Sequence, residues 1–361
     1  MATVLHLTGP VLAGPDDVRP EGWVVGGRMT YAAPRGDHDV TTVDGWVLPG
    51  LVDAHCHVGL GPHGEVPREE AERQATTDRE HGTLLIRDAG QPGDTRWIDE
   101  RDDLPKVIRA GRHIARTRRY LRNYAWEVEP DQLVSRVRAE ARAGDGWVKL
   151  VGDWIDREVG DLAPCWPVDV LTEAIAAAHE EGARVTAHCF GEQSLRDFAA
   201  AGTDCIEHAT GLDADTISSF AEQGIAIVPT LVNIATFPRI VASAAEKFPE
   251  YHRHMLDLHE RRYATVAAAV DAGVPVYVGT DAGGSLPHGL AAQECAELRA
   301  AGLTTAAVLE AATWGARAWL GRPGLEEGED ADLLVLPADP RADVGVLAHP
   351  SMILLRGRSW R

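Results

Sequence analysis

The sequence predicts an α/β protein: a (β/α)8 TIM barrel over residues 49–321, with a small β-sandwich domain built from residues 1–48 and 322–361. Three observations carry that expectation. Short apolar runs alternate with amphipathic stretches through the middle of the chain, as a parallel barrel requires. Both ends read as strands broken by Gly and Pro. Side chains of the kind that hold metal ions recur where the apolar runs end, at the rim where such barrels place their active sites.

Taken in order, TVLHLTG, WVVGGRMTYAA and DVTTVDGWVLPG supply the first terminal strands. Eight barrel strands follow, at 50–59, 83–90, 106–115, 147–154, 184–190, 205–210, 225–233 and 274–283. Between them DQLVSRVRAEARAG, LTEAIAAAHEEG, SLRDFAAAG and DADTISSFAEQG read as helices, each closed by Gly. LAAQECAELRAAG and TTAAVLEAATWGARAWLG add two helices after the last strand, the second with a Thr cap. ADLLVLPAD and SMILLRGR then return to strand and complete the terminal domain.

Asp and Glu number 55 against 35 Lys and Arg, for a net charge of −20. That acidic field argues against nucleic acid or an anionic membrane as partner and leaves a small-molecule substrate. No run of eighteen apolar residues suggests a membrane span, and the start of the chain lacks a basic leader with an apolar core. The five cysteines are scattered and never form C-x-x-C, which fits a reducing cytoplasm. Cys56 and Cys189 are expected to pack on the far faces of their strands. A symmetric homo-oligomer is an expectation from general frequency alone.

The chemistry lies in a constellation. The first barrel strand ends in His55-Cys-His57, the fourth carries Lys149, the fifth His188, the sixth His208 and the eighth Asp281. Residues i and i+2 of a strand share a face, so His55 and His57 can hold one ion together. With 15 histidines in the chain, one chance H-x-H is expected. Co-occurrence at successive strand ends is what gives the pattern weight. Imidazoles with a carboxylate suit zinc, with manganese, iron or cobalt as alternatives.

PGLVDAHCH, then Lys149, then AHCFGEQSLRDFAAAGTDCIEH and GTDAG, resembles the amidohydrolase superfamily. The closest likeness is to its branch of imidazolonepropionase-like enzymes and Xaa-Pro dipeptidases. The tail LEEGEDADLLVLPADPRAD is similar to that family's return to its small β domain. The resemblance implies that His55, His57 and Asp281 hold one divalent ion and that His188 and His208 hold a second. It implies that Lys149 is carboxylated by CO2 and that the carbamate bridges the two. Water activated between the ions would then attack an amide, peptide or ester-like carbonyl of a small molecule, a dipeptide or N-acyl amino acid among the options. Asp281 would move the proton, and Lys149 would serve catalysis as the bridge. The alternative is an unmodified Lys149 paired with Asp153 or Asp156, with one ion on His55, His57, His188 and Asp281.

Substrate contacts are expected from the loop RTRRYLRNYAWEVEP, where Arg116, Arg118, Arg119 and Arg122 accompany Tyr120, Tyr124 and Trp126. A guanidinium fork there suits an acidic substrate terminus. Trp154, Asp156, Arg157 and His288 are further candidates, His288 equally as a helix cap and Trp166 as packing. Arg87 and Asp88 are expected to orient the ligands from behind. Two other readings compete. A mononuclear deaminase or cyclic-amidine hydrolase would carry an acid three residues after His188, where this chain has Gly191, with Glu192 one later. A non-catalytic scaffold would be expected to have lost ligands, and every position is filled.

Overall fold

The computed structural model describes residues 4–360; residues 1–3 and 361 of the expected terminal domain, Thr3 of its first strand included, lie outside them. The middle of the chain is a TIM-barrel-like α/β domain. Leu51–Cys56, Thr83–Asp88 and Lys106–Arg109 form one parallel sheet. Ile114–Arg116, Trp147–Val151, Arg184–Cys189, Cys205–His208 and Ala226–Val228 form another, joined at its edge by Trp126–Val128. Val52, Ala54, Leu85, Ile108, Trp147, Cys205 and Val228, drawn from strands of both sheets, bury one apolar cluster.

The expected ring of eight continuous strands is corrected in four places. The third expected strand, 106–115, is two short strands in different sheets, broken where Gly111 turns left-handed at φ 71°. The fourth ends at Val151, and Asp153–Asp156 instead folds back on Asp161–Pro164 as an antiparallel hairpin. The seventh is only Ala226–Val228; Thr230 then turns left-handed at φ 49° and the short helix Leu231–Ile234 begins. The eighth, 274–283, forms isolated bridges, Val276 to Ile227 and Cys56 to Ala282, so the barrel does not close as a continuous sheet. Pro275 has no N–H to give a ladder, and its carbonyl accepts from Ile227 N at 2.8 Å.

The eighth segment nevertheless presses hard on the first strand. A Cβ at Gly279 would lie 2.3 Å from Val228 Cγ1 and 2.9 Å from His55 N, so only glycine fits the gap. Asp53 fastens the same seam. Its carboxylate accepts from the backbone N–H groups of His55 and Thr280, each at 3.1 Å, and from the Thr280 hydroxyl at 2.5 Å.

The helices Leu133–Ala143, Val168–Glu180, Glu192–Ala201 and Ala214–Gln223 lie where expected. Asp213 caps the last of these by accepting from Thr216 N at 2.9 Å, and Gly224 ends it at φ 68°. The final stretch 304–321 is two helices, Thr305–Ala312 and Trp314–Trp319, interrupted at Thr313; Thr304 accepts from Ala307 N as its cap. The 23-residue helix Pro249–Asp271 was not foreseen, because its apolar residues are spread among His, Arg and Glu without a clean stripe.

Two further sheets lie outside the barrel, one from the N-terminal residues alone and one from both chain ends. One orders Arg28–Thr30, Gly22–Val25, Val4–Leu7 and Val40–Val43; the other runs from Arg358–Ser359 through Leu333–Leu336 and Trp46–Pro49 to Val18–Arg19. Leu7, Val24, Met29, Val47, Leu333 and Leu354, from both, bury one common cluster. No helix among the described residues is long and apolar enough to cross a membrane.

Candidate active site

His55, His57, Lys149, His188, His208 and Asp281 come from five separate segments and meet at one end of the barrel. All but Asp281 are buried; its side chain is 23% exposed and is the group open to the outside. His55 Nε2 and His57 Nε2 lie 2.8 and 3.0 Å from the same oxygen, Asp281 Oδ1. The other Asp281 oxygen accepts from Asn233 Nδ2 at 2.6 Å. His188 Nδ1 and His208 Nε2 are 3.0 Å apart. The rings of His55 and His208 stand 5.3 Å apart, joining the two groups.

Hydrogen bonds behind two of these rings orient them, and a carbonyl fixes the tautomer of one. His57 Nδ1 donates to Gly90 O at 2.6 Å, and His208 Nδ1 pairs with the Thr230 hydroxyl at 2.7 Å. Each leaves its outer nitrogen to face the centre. The backbone also turns there. His208 and Asp281 are left-handed at φ 67° and 58°, a conformation that costs an ordinary side chain about 1–3 kcal/mol and is found where surrounding structure imposes it.

Burial keeps three of the rings neutral. It pushes His208 down to about 3 and holds His55 and His188 well below the ordinary histidine range. Burial also presses Asp281 toward neutrality, but His55 and His57 override it and hold the carboxyl well below its usual value. Lys149 is pushed down to about 7, chiefly by burial.

The donor set fits a divalent cation. His55, His208 and Asp281 each offer an atom within 4.8 Å of the others. His188 Nε2 is buried with no hydrogen-bond partner, as is His55 Nδ1, which lies 3.0 Å from Glu207 without aligning on it. Orphaned lone pairs of this kind are costly unless something binds them.

Lys149 does not pair with Asp153 or Asp156, the partners expected for an unmodified ammonium. Its Nζ meets Glu207, while Asp153 accepts the backbone N–H groups of Phe190 and Gly191 and Asp156 takes Arg119. Glu207 went unforeseen because it adjoins His208, and strict alternation sends neighbours to opposite faces. The left-handed turn at His208 lets both face inward. Glu207 also accepts from Thr186 Oγ1 at 2.8 Å and stands 3.4 Å from Arg87. Arg87 thus braces Glu207 from behind, while Asp88 accepts from Gly90 N at 2.9 Å beside His57's anchor. His113 was also missed; it lies inside the broken third strand, both ring nitrogens unpartnered, 5.0 Å from the His57 ring.

The substrate candidates divide. Tyr120 and Trp154 stand against His188, with ring centroids 5.5 and 5.6 Å away. Arg118 is exposed beside them. Three others already have partners within the protein. Arg119 is spent on Asp156 at 2.7 Å and the carbonyls of Trp154 and Ala163. The Tyr124 hydroxyl donates to Gly61 O at 2.9 Å. His288 is buried against Asp78 at 2.8 Å, in a second group with Cys56 behind the first strand. Cys56 and Cys189 pack in apolar clusters.

A model of the amidohydrolase family matches residues 46–357. The chain belongs to that family. As an amidohydrolase it is a hydrolase acting on carbon–nitrogen bonds. An uncharacterized protein of Mycobacterium tuberculosis is 54% identical over 360 residues, covering 99% of this amidohydrolase and 96% of that protein. Ochratoxinase of Aspergillus niger is 27% identical over 230 residues, 62% of this chain and 47% of the enzyme. A solved Xaa-Pro dipeptidase superposes with a TM-score of 0.81 at 23% identity, covering 100% of both chains. The A. niger ochratoxinase structure superposes at 0.79 and 18%, covering 100% of this chain and 96% of that one. Those two superpositions speak for the fold.

Proposed function

We propose that this amidohydrolase cleaves an amide bond of a small molecule at a two-metal centre. His55, His57 and Asp281 would hold one divalent ion and His188 and His208 the other, zinc being the best match to imidazole and carboxylate donors. Lys149, carboxylated on its amine, would bridge them: the nitrogen bonds the carbon of CO2 and releases a proton. The observation that carries the reading is the convergence of His55 and His57 on one oxygen of Asp281, with buried, unpartnered nitrogens on His55 and His188 beside them. Bound divalent ions make water nucleophilic near neutral pH and polarise a carbonyl.

The chain's own residues do the rest. Asp281, ionised and the most open of the set, is placed to accept a proton at one carboxylate oxygen and return it to the leaving nitrogen. Asn233 fixes its rotation through the other oxygen. Tyr120 and Trp154 shield His188 from bulk water.

The deaminase alternative loses support, since Glu192 is committed to His254 at 3.0 Å and to Arg261. The Lys149–Glu207 contact does favour a one-ion variant of the same reaction, because it gives an unmodified amine a carboxylate partner. Metal analysis decides between the two. The purified protein is expected to carry about two divalent ions per chain, and Lys149→Ala about one, with most activity toward amides lost. One ion in both proteins, with equal rates, would defeat the bridge.

A further inference from the structure

Beyond the Tyr120 and Trp154 rings lies a cavity of about 850 Å³ whose walls include Arg112, Arg118, Arg122 and Arg157. The single carboxylate among its lining residues is Glu127. Arg112 is occupied: it donates to Tyr124 O and Asn123 O and stacks on Trp126. Arg118, Arg122 and Arg157 make no ion pair and no side-chain hydrogen bond among the described residues. Their neighbour Arg119 makes three.

Three spare guanidiniums in one cavity are unexpected for this chain. Acidic side chains outnumber basic ones by 55 to 35, and arginines elsewhere, such as Arg101, Arg138 and Arg142, find carboxylates within 3.3 Å. The loop is also bent to present them, since Arg118 sits left-handed at φ 61°. The aromatic wall is thin. Tyr120 and Trp154 line the cavity, and the same two rings flank His188. A molecule with its amide at the imidazoles can therefore set its other end among the arginines.

We infer that the cavity receives a carboxylate carried by the substrate, on the side away from the scissile bond, and that Arg118, Arg122 and Arg157 select it. This rests on the reading that cleavage occurs at the His188 side of that wall. Planar guanidinium forks match a carboxylate in charge and shape, and the Tyr120 and Trp154 faces accept an apolar neck. The carboxylate takes no part in the reaction. Water adds across the amide, hydroxyl to carbon and hydrogen to nitrogen, and the anion serves only to hold and orient.

The test compares two probes with one amide each and a longer apolar neck: N-benzoyl-6-aminohexanoic acid and its neutral counterpart N-(6-hydroxyhexyl)benzamide. Binding is measured by calorimetry on the protein as purified and again after a chelator, so that no ion is left to attract the carboxylate. The acid is expected to bind at least about tenfold tighter in both preparations, and added salt should weaken the acid alone. The double variant Arg118→Gln, Arg157→Gln should remove that preference. Its melting temperature should be unchanged, because neither side chain holds structure together. Equal binding of the two probes, binding of neither, or a preference that survives in the variant would overturn the inference. If the preference is present but amide cleavage and bound metal are both missing, the cavity assignment stands and the catalytic reading falls.

Discussion

His208 and His254 carry the same ring into opposite surroundings. His208 pairs one nitrogen with the Thr230 hydroxyl at 2.7 Å and sets the other 3.0 Å from His188, with burial holding it down at about 3. His254, on the long helix, sets its two nitrogens 3.0 Å from Asp161 and 3.0 Å from Glu192. The bond to Glu192 raises it to about 9, against burial and with help from Asp161. His288 follows the second pattern. Burial works against its charge, and Asp78 at 2.8 Å more than offsets it. A neutral ring that meets only a hydroxyl and another neutral ring can turn a lone pair to a cation. A ring clasped by carboxylates already is one. Proximity of metal-type side chains therefore decides little; the state of their lone pairs decides more.

The strongest way to break this comparison is His188→Ala. It removes an unpartnered buried nitrogen, so bound divalent metal and amide turnover should both fall, turnover by at least about a hundredfold. Unchanged metal content, measured by mass spectrometry of the digested protein, would put His188 in the same class as His254.

His254→Gln should leave metal and turnover alone and instead change stability, by about 1 kcal/mol at neutral pH since the three partners are part-exposed. Pairing raises this ring, so its contribution is complete below the ordinary value of 6.5 and disappears as pH rises through about 9. Denaturant unfolding across that window should show the wild type losing stability that the variant never had. Parallel curves would mean the pair is worth nothing.

The smallest effect belongs to the group behind the first strand. Cys56, Asp78 and His288 lie as close together as the ligand trio, yet Asp78 is already engaged by His288 and by Gly289 N at 2.9 Å. Burial, then Asp53 and Asp78, push the Cys56 thiol well above its ordinary value, whereas a metal needs the thiolate. Cobalt-loaded protein should therefore lack the near-ultraviolet band of a cobalt–sulfur bond, and Cys56→Ala should keep its full metal content. A thiolate band that vanishes in that variant would reverse the assignment.

Much of this site was legible because strand alternation and the strand-end rule both act on backbone, which the sequence reports well. His55, His57, Lys149, His188, His208 and Asp281 were expected at one rim that way, and they do converge there. The rest lay where the backbone departs from those rules. Glu207 faces inward beside His208 because of a left-handed turn that no apolar pattern records. His113 sits in a strand that breaks at Gly111. Arg119 and Tyr124 were read as substrate contacts since composition does not reveal who already holds a side chain. The eighth strand holds only isolated bridges, and Pro275 within it has no hydrogen to donate.

Gly279 gives the arrangement an unexpected weak point. It carries no side chain, yet that lack is what lets the last segment lie flat against His55 N and Val228. Any larger residue would shoulder the first strand aside and spoil the spacing between His55 and Asp281. A mutation scan that scores only polar side chains would overlook the position, and a variant there would disturb the site with His55, His57 and Asp281 all still in the sequence.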